Sequence, residues 1–170
     1  AGLESRDQAK TFIYALIYGA GDAKLGSVVK GNREDGKRLR QHFFDSNPSF
    51  KALRDKVSRA AKKGYLKGLD GRKIFIRSEH AALNSLLQGG GAVIMKKGLA
   101  LFDSLIKLNT FDAKFVANIH DEWQMEVRED LSDHIGTLAV DCIKTAGNYY
   151  NLRCPMDGEY KVGRDWSETH

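Results

Sequence analysis

From His80 to Leu108 apolar residues recur at helical spacing, and between Phe115 and Val127 the period changes to two, with Trp123, Met125 and Val127 alternating with Gln124 and Glu126. A long helical run followed by alternating strands excludes an all-helical and an all-strand fold. The class expected is α+β. Gly89, Gly90 and Gly91 lie inside the helical run; each costs about 1 kcal/mol against alanine, so a break or pinch is expected there. FVANI and WQMEV flank His120-Asp121-Glu122, which predicts a hairpin with acidic residues at its tip.

The rest of the chain divides at its glycines and prolines. Ser5 followed by Gln8 forms a capping box ahead of RDQAKTFIYALIYGAG, where Ala9, Phe12, Ile13, Leu16 and Ile17 share a helical arc that Gly19 and Gly21 close. A second helix is expected over Glu34 to Phe44, ended by Asn47-Pro48, and a third from about Ser49 to Lys63, stopped by Gly64. In YLKGLDGRKIFIRS, Asp70-Gly71 between β-prone runs signals a hairpin. An amphipathic helix from about Leu131 to Tyr149 and a polar tail, GEYKVGRDWSETH, complete the reading.

Composition removes several function classes. The 170 residues, 42% hydrophobic, are enough for a real core, and no apolar run is long enough to cross a membrane. AGLESRDQAK shows no basic patch before an apolar block, so no secretory signal is expected. Two cysteines without metal-site spacing give no zinc site or disulfide framework, and a cytoplasmic location is expected. Charge is segregated. Residues 51 to 77 hold 10 basic residues against Asp55 and Asp70, while residues 78 to 170 hold 9 basic and 14 acidic ones. That pattern suits a protein that grips a polyanion with one surface and holds cations with another; a solvated basic helix fits the charge equally well.

Three constellations carry chemistry. Arg6, Lys10, Tyr14 and Tyr18 follow one another at four-residue spacing, so on a helix they make one slanting stripe bordering the apolar arc. Two cations and then two aromatics match a nucleoside triphosphate, whose phosphates need charge-assisted contacts a turn or two from a platform for sugar and base. Surface cations beside half-buried tyrosines would give the same pattern. His120-Asp121-Glu122 offers hard oxygen ligands at a strand turn, or a merely solvated turn. Phosphoryl transfer by two metals needs at least two bridging carboxylates; neighbouring strand residues point to opposite faces, so Asp121 and Glu122 are not both expected to bridge. Asn84 and Gln88 sit one turn apart, placed either to reach minor-groove acceptors or simply to face solvent.

RDQAKTFIYALIYGAG, GLDGRKIFIRS, HAALNSLLQ and NIHDEWQMEV occur in the order and spacing of the C-terminal part of family A DNA polymerases, and essentially the whole chain resembles the replicative type of T-odd bacteriophages. Arg6, Lys10, Tyr18 and Gly19 resemble the family's motif B, and His120-Asp121-Glu122 its motif C. The resemblance implies a helical fingers subdomain over residues 1–65 and part of an antiparallel-sheet palm over 66–170. It implies template-directed DNA synthesis with two Mg2+ ions, primer-template DNA and dNTP as ligands, and the host cytoplasm as the place of action for a phage-encoded chain.

By the same resemblance Arg6 and Lys10 bind the triphosphate, with Lys10 also catalytic; Tyr14 lies against the sugar and Tyr18 near the nascent pair. Asp121 is a metal ligand, Glu122 supports it, and His120 touches the primer terminus. Asn84 and Gln88 follow the minor groove, and the basic segment ending at Arg77 contacts primer-template. Family members with Tyr at position 14 accept dideoxynucleotides, and those with Phe exclude them. Single-subunit phage RNA polymerases are a rival, but they carry Met where Tyr14 stands and Ser where Glu122 stands.

The family's motif A, with its own metal-binding Asp, precedes motif B, so an N-terminal polymerase portion is an expected partner, with a processivity factor bound elsewhere. Without motif A the isolated chain is expected to be inactive, and a nucleotide- and DNA-binding module without its own chemistry is the other reading. The stretch before Leu66 is shorter than in the phage enzymes, and residues 89–91 are unusually rich in glycine.

Overall fold

The structure is a computed structural model that describes residues 3–169. It is α+β, with two compact units, residues 1–89 and 90–170. Among the described residues no helix is long and apolar enough to cross a membrane.

In the first unit, α1 (Arg6–Ile17) starts where the Ser5 side chain accepts the Gln8 amide N–H at 3.2 Å. The Gln8 side chain answers one residue further out, accepting the Glu4 N–H at 3.0 Å. Phe12 and Leu16 are buried, whereas Ile13, expected on the apolar arc, is 40% exposed. Gly19 turns the chain at φ +79°, and a Cβ there would strike the His80 carbonyl, so glycine is required on both counts. The short helix α2 (Asp22–Ser27) was not expected, because six residues are too few to display a period.

Helix α3 (Arg33–Ser46) begins at a reciprocal cap: the Asn32 side chain accepts from Glu34 and Asp35, and Asp35 accepts the Asn32 N–H at 2.9 Å. Asn47 ends α3 and starts α4 (Pro48–Ala61), with Pro48 in the first turn, where its missing N–H costs nothing. Phe12, Leu16, Leu25, Leu39 and Phe44 form one core, with Phe43 edge to face against Phe12 and Phe50 stacked on Phe44. Val57, Ala61, Leu66, Ala82 and Leu83 form a second. The expected hairpin is present as β1 (Tyr65–Lys67) and β2 (Lys73–Phe75), paired Tyr65 to Phe75. Its loop is residues 68–72, longer than an Asp-Gly turn, with Gly71 at φ +84°.

Helix α5 (Ala82–Leu108) runs through Gly89, Gly90 and Gly91 without the expected break. The glycines cost about 3 kcal/mol together, but Leu83 lies buried before them and Ile94, Phe102 and Ile106 after them. Burying each such side chain contributes about 1.5–3 kcal/mol, which outweighs the loss.

In the second unit, β3 (Ala113–Ile119) pairs antiparallel with β4 (Glu122–Val127), and a bulge falls between Phe115 and Ala117. Helix α6 (Ser132–Tyr149) supplies Ile135 and Cys142 to a core around Phe102, against which Trp123, Met125 and Val127 pack as their alternation predicts. Phe102 stacks on Trp123 at 5.7 Å and meets Phe115 edge-on. The tail ends in α7 (Trp166–Thr169), and Cys142 and Cys154 are both free.

Candidate active site

Because α1 buries only Phe12 and Leu16, its opposite surface is left to solvent, and Arg6, Lys10, Tyr14 and Tyr18 all lie on it. They form the continuous stripe that their spacing predicts, but it lies opposite the buried pair and not beside the buried face, because Ile13, expected on the apolar arc, is itself exposed. Among the described residues neither cation has a carboxylate within ion-pairing distance, so both charges remain available to an anion. Tyr14 and Tyr18 are 53% and 52% exposed, which leaves about half of each ring surface open to a ligand and fits the half-buried alternative equally. Tyr18 caps α1, and its hydroxyl accepts a 2.7 Å hydrogen bond from Nε2 of Gln88 on α5. Two residues assigned to different ligands are thereby joined. Asn84 is half-buried one turn before Gln88, and Arg77 is exposed after β2.

The basic segment keeps most of its charge in water. Arg72 pairs with Asp70 at 2.6 Å, Arg54 lies over the Phe44 ring and Lys73 over the Tyr65 ring. Desolvation of the Asp70 carboxyl opposes ionisation, but the hydrogen bonds and charge from Arg72 together outweigh it and hold the pKa below its ordinary value.

In the second unit the pairing Ile119 to Glu122 leaves His120 and Asp121 as the turn. His120 takes φ +53°, the left-handed conformation that a tight primed turn demands at its first central position. Asp121 is therefore a turn residue, and the expected separation of Asp121 and Glu122 onto opposite strand faces does not hold. Both border one cavity of about 430 Å³, together with Gln124, Ile135, Gly136 and Tyr160. The exposed Asp121 carboxylate meets water, whereas Oε1 of Glu122 accepts from the Gln124 amide and, at 3.2 Å, from the Trp166 indole N–H.

Two adjacent carboxylates suit a hard cation such as Mg2+ in chemistry. Among the described residues, however, no three His, Cys, Asp or Glu side chains gather closely enough to hold one. The turn by itself therefore supplies only part of the donor set that such a cation needs.

Sequence reasoning treated the tail as polar and missed its contacts. Met156 covers Gly147, Tyr160 covers Gly136, and Trp166 reaches Glu122. Gly136 and Gly147 lie three helical turns apart, and two glycines on one face of an amphipathic helix were the available signal for a crossing segment. Asp157, held below the ordinary carboxylate range by the Gly158 N–H and by Lys144 at 3.3 Å, fastens this segment. Asp165 is lowered by the Ser167 hydroxyl and amide.

Comparison with known proteins gives the chain its relatives. The family model for DNA polymerase family A matches residues 2–168. The DNA-directed DNA polymerase of Escherichia phage Phieco32 is 41% identical, with 100% of this chain and 29% of that protein aligned. That of Escherichia phage T7 is 35% identical, with 100% and 27% aligned. The polymerase domain of Pol1 from M. smegmatis, solved in complex with DNA primer-template and dNTP, superposes at a TM-score of 0.77 with 26% identity, over 93% of this chain and 29% of that one. The chain thus spans less than a third of each of these relatives. With the family model matching residues 2–168, the chain belongs to DNA polymerase family A.

Proposed function

We propose that this chain is the dNTP-binding and primer-terminus part of a template-directed DNA polymerase, acting in the host cytoplasm on primer-template DNA. The observation that carries the reading is the exposed stripe on α1, ordered as cation, cation, aromatic, aromatic, whose two cations have no carboxylate partner among the described residues. Arg6 and Lys10 take the phosphates of the incoming dNTP, where charge-assisted bonds are short and strong. Lys10 stands in the middle of the stripe, placed to neutralise charge that grows on the leaving pyrophosphate. Tyr14 lies against the sugar and Tyr18 against the nascent pair, its hydroxyl steadied by Gln88. Asn84, Gln88, His120 and Arg77 contact primer-template.

In the completed reaction the primer 3′-hydroxyl oxygen bonds to the α-phosphorus, the bond to pyrophosphate breaks, and the hydroxyl proton passes to solvent water. Asp121, with Glu122 beside it, would hold Mg2+, which with a second ion in the complete enzyme would supply charge neutralisation at the phosphates and activation of the hydroxyl. The turn offers two neighbouring carboxylates and no third. We infer that an N-terminal portion of the polymerase, bearing motif A, completes the set, with a processivity factor binding elsewhere. The 170 residues alone are accordingly expected to give no extension.

The test is steady-state primer extension by the complete polymerase carrying this chain. Lys10→Ala and Arg6→Ala should each weaken use of dNTP by about tenfold or more, the loss of one charged hydrogen bond, with primer-template affinity little changed. Wild-type dNTP kinetics in both variants would refute the stripe's role.

A further inference from the structure

The C-terminal tail is built, residue by residue, to deliver one indole N–H to the acidic turn. Met156 packs over Gly147, with its Cγ 2.5 Å from where a Cβ would stand, and the Tyr160 ring lies on Gly136 closely enough to exclude any side chain there. The Tyr160 hydroxyl donates to Asp133 at 3.3 Å, and Lys144 pairs with Asp157 at 3.3 Å. Beyond these points the segment folds on itself. The Arg164 N–H donates to Glu168 at 2.7 Å, and the Asp165 carboxylate accepts the Ser167 N–H at 2.9 Å. Trp166 is thus carried by an ordered hook, and its Nε1–H donates to Oε1 of Glu122 at 3.2 Å. The Gln124 amide donates to the same oxygen.

We propose that Trp166 is a positioning residue of the reaction centre: its indole N–H, with the Gln124 amide, fixes the Glu122 carboxylate in the one orientation in which it works beside Asp121. The physical need is plain. A glutamate at the first residue of a strand after a two-residue turn has three side-chain torsions and loses rotamer freedom on being fixed. Two donors on Oε1 fix it before the substrates arrive, so that cost is not met at the moment of reaction. Both donors act on one oxygen, which sets the direction of the carboxylate plane as well as its place. The tail therefore belongs to the reaction centre, although its own composition reads as a solvated end.

The inference rests on the assignment of Asp121 and Glu122 to the reaction centre, and one experiment separates the two. In the complete polymerase, Trp166→Phe keeps a ring and removes the donor. Replacement of Trp166 by its benzothiophene isostere keeps the shape and removes the donor alone. Both should lower kcat for primer extension by about tenfold, the effect expected for a lost hydrogen bond to a charged group, and leave the dNTP KM within about threefold. Both should also weaken Mn2+ binding by several-fold, read without turnover from the electron paramagnetic resonance of free Mn2+. A residue that only packs would move neither kcat nor Mn2+ affinity in the isostere. Wild-type kcat and Mn2+ affinity in the isostere would therefore overturn the proposal, whatever Trp166→Phe does. Asp121→Asn runs beside them: if it stays active, the assignment of the centre fails; if it is inactive while the isostere is normal, only the role of Trp166 fails.

Discussion

Gly90 and Gly91 decide whether α5 is one helix or two. At both positions a Cβ would meet nothing within 4 Å, and neither glycine has positive φ. Alanine then brings no clash and no strain, only the helix propensity gained and the unfolded-chain freedom removed, together about 1 kcal/mol per site. The double variant Gly90→Ala/Gly91→Ala should gain about 2 kcal/mol. For a chain of this size that raises Tm by about 4–8 °C, measured by far-ultraviolet circular dichroism. Gly89→Ala should gain less, because its Cβ would stand 3.1 Å from Cδ1 of Ile74, which must rotate away. Were the helix broken at the glycines, as their intrinsic cost suggests, left-handed or irregular backbone there would make alanine destabilising. A fall in Tm for the double variant would refute the continuous helix.

Removing the Tyr14 hydroxyl by Tyr14→Phe should cost a dideoxynucleotide about 1–3 kcal/mol relative to the normal substrate, read from a competition of the two in primer extension. Equal incorporation ratios would remove the sugar contact. The Tyr18 to Gln88 bond, short but partly in water, should give about 0.5–1 kcal/mol of coupling in a double-mutant cycle of Tyr18→Phe and Gln88→Ala on dNTP binding; strict additivity would contradict it. Asp157 and Asp165 have lowered folded pKa values, so their contribution to fastening the tail is present above the ordinary aspartate value of 3.8 and fades as pH falls below it through the folded values. The Gly158 and Ser167 amide N–H resonances, whose hydrogens Asp157 and Asp165 accept, should hold their positions from neutral pH down to that range; a transition near neutrality would assign the fastening to other groups.

Much of this molecule is legible without coordinates, where one local signal dominates. Ser5 with Gln8 starts α1, Asn47-Pro48 separates α3 from α4, and the alternation of Trp123, Met125 and Val127 orients β4. The stripe on α1 follows from four residues at one spacing, but its place opposite Phe12 and Leu16 is masked in the sequence by Ile13, an apolar residue that stays exposed. The failures share a cause, since each depends on contacts between segments far apart in the chain. Propensity alone argues for a break at Gly89 to Gly91, yet burial of Leu83 on one side and Ile94 on the other decides the outcome. The alternation rule separates Asp121 from Glu122 only if both are in a strand, and the register at Ile119 puts Asp121 in the turn. Trp166 could not be assigned to Glu122 from spacing, because the tail's path is set by the bare surfaces of Gly136 and Gly147.

The central claim is that this chain carries the acidic turn at which a DNA polymerase joins nucleotides. Asp121→Asn in the complete polymerase preserves shape and removes charge, so magnesium-dependent templated primer extension should fall by several orders of magnitude. Circular dichroism and primer-template affinity should match wild type. Extension within about tenfold of wild type would contradict the account, since losing even one direct ligand charge from a reaction centre costs more than that.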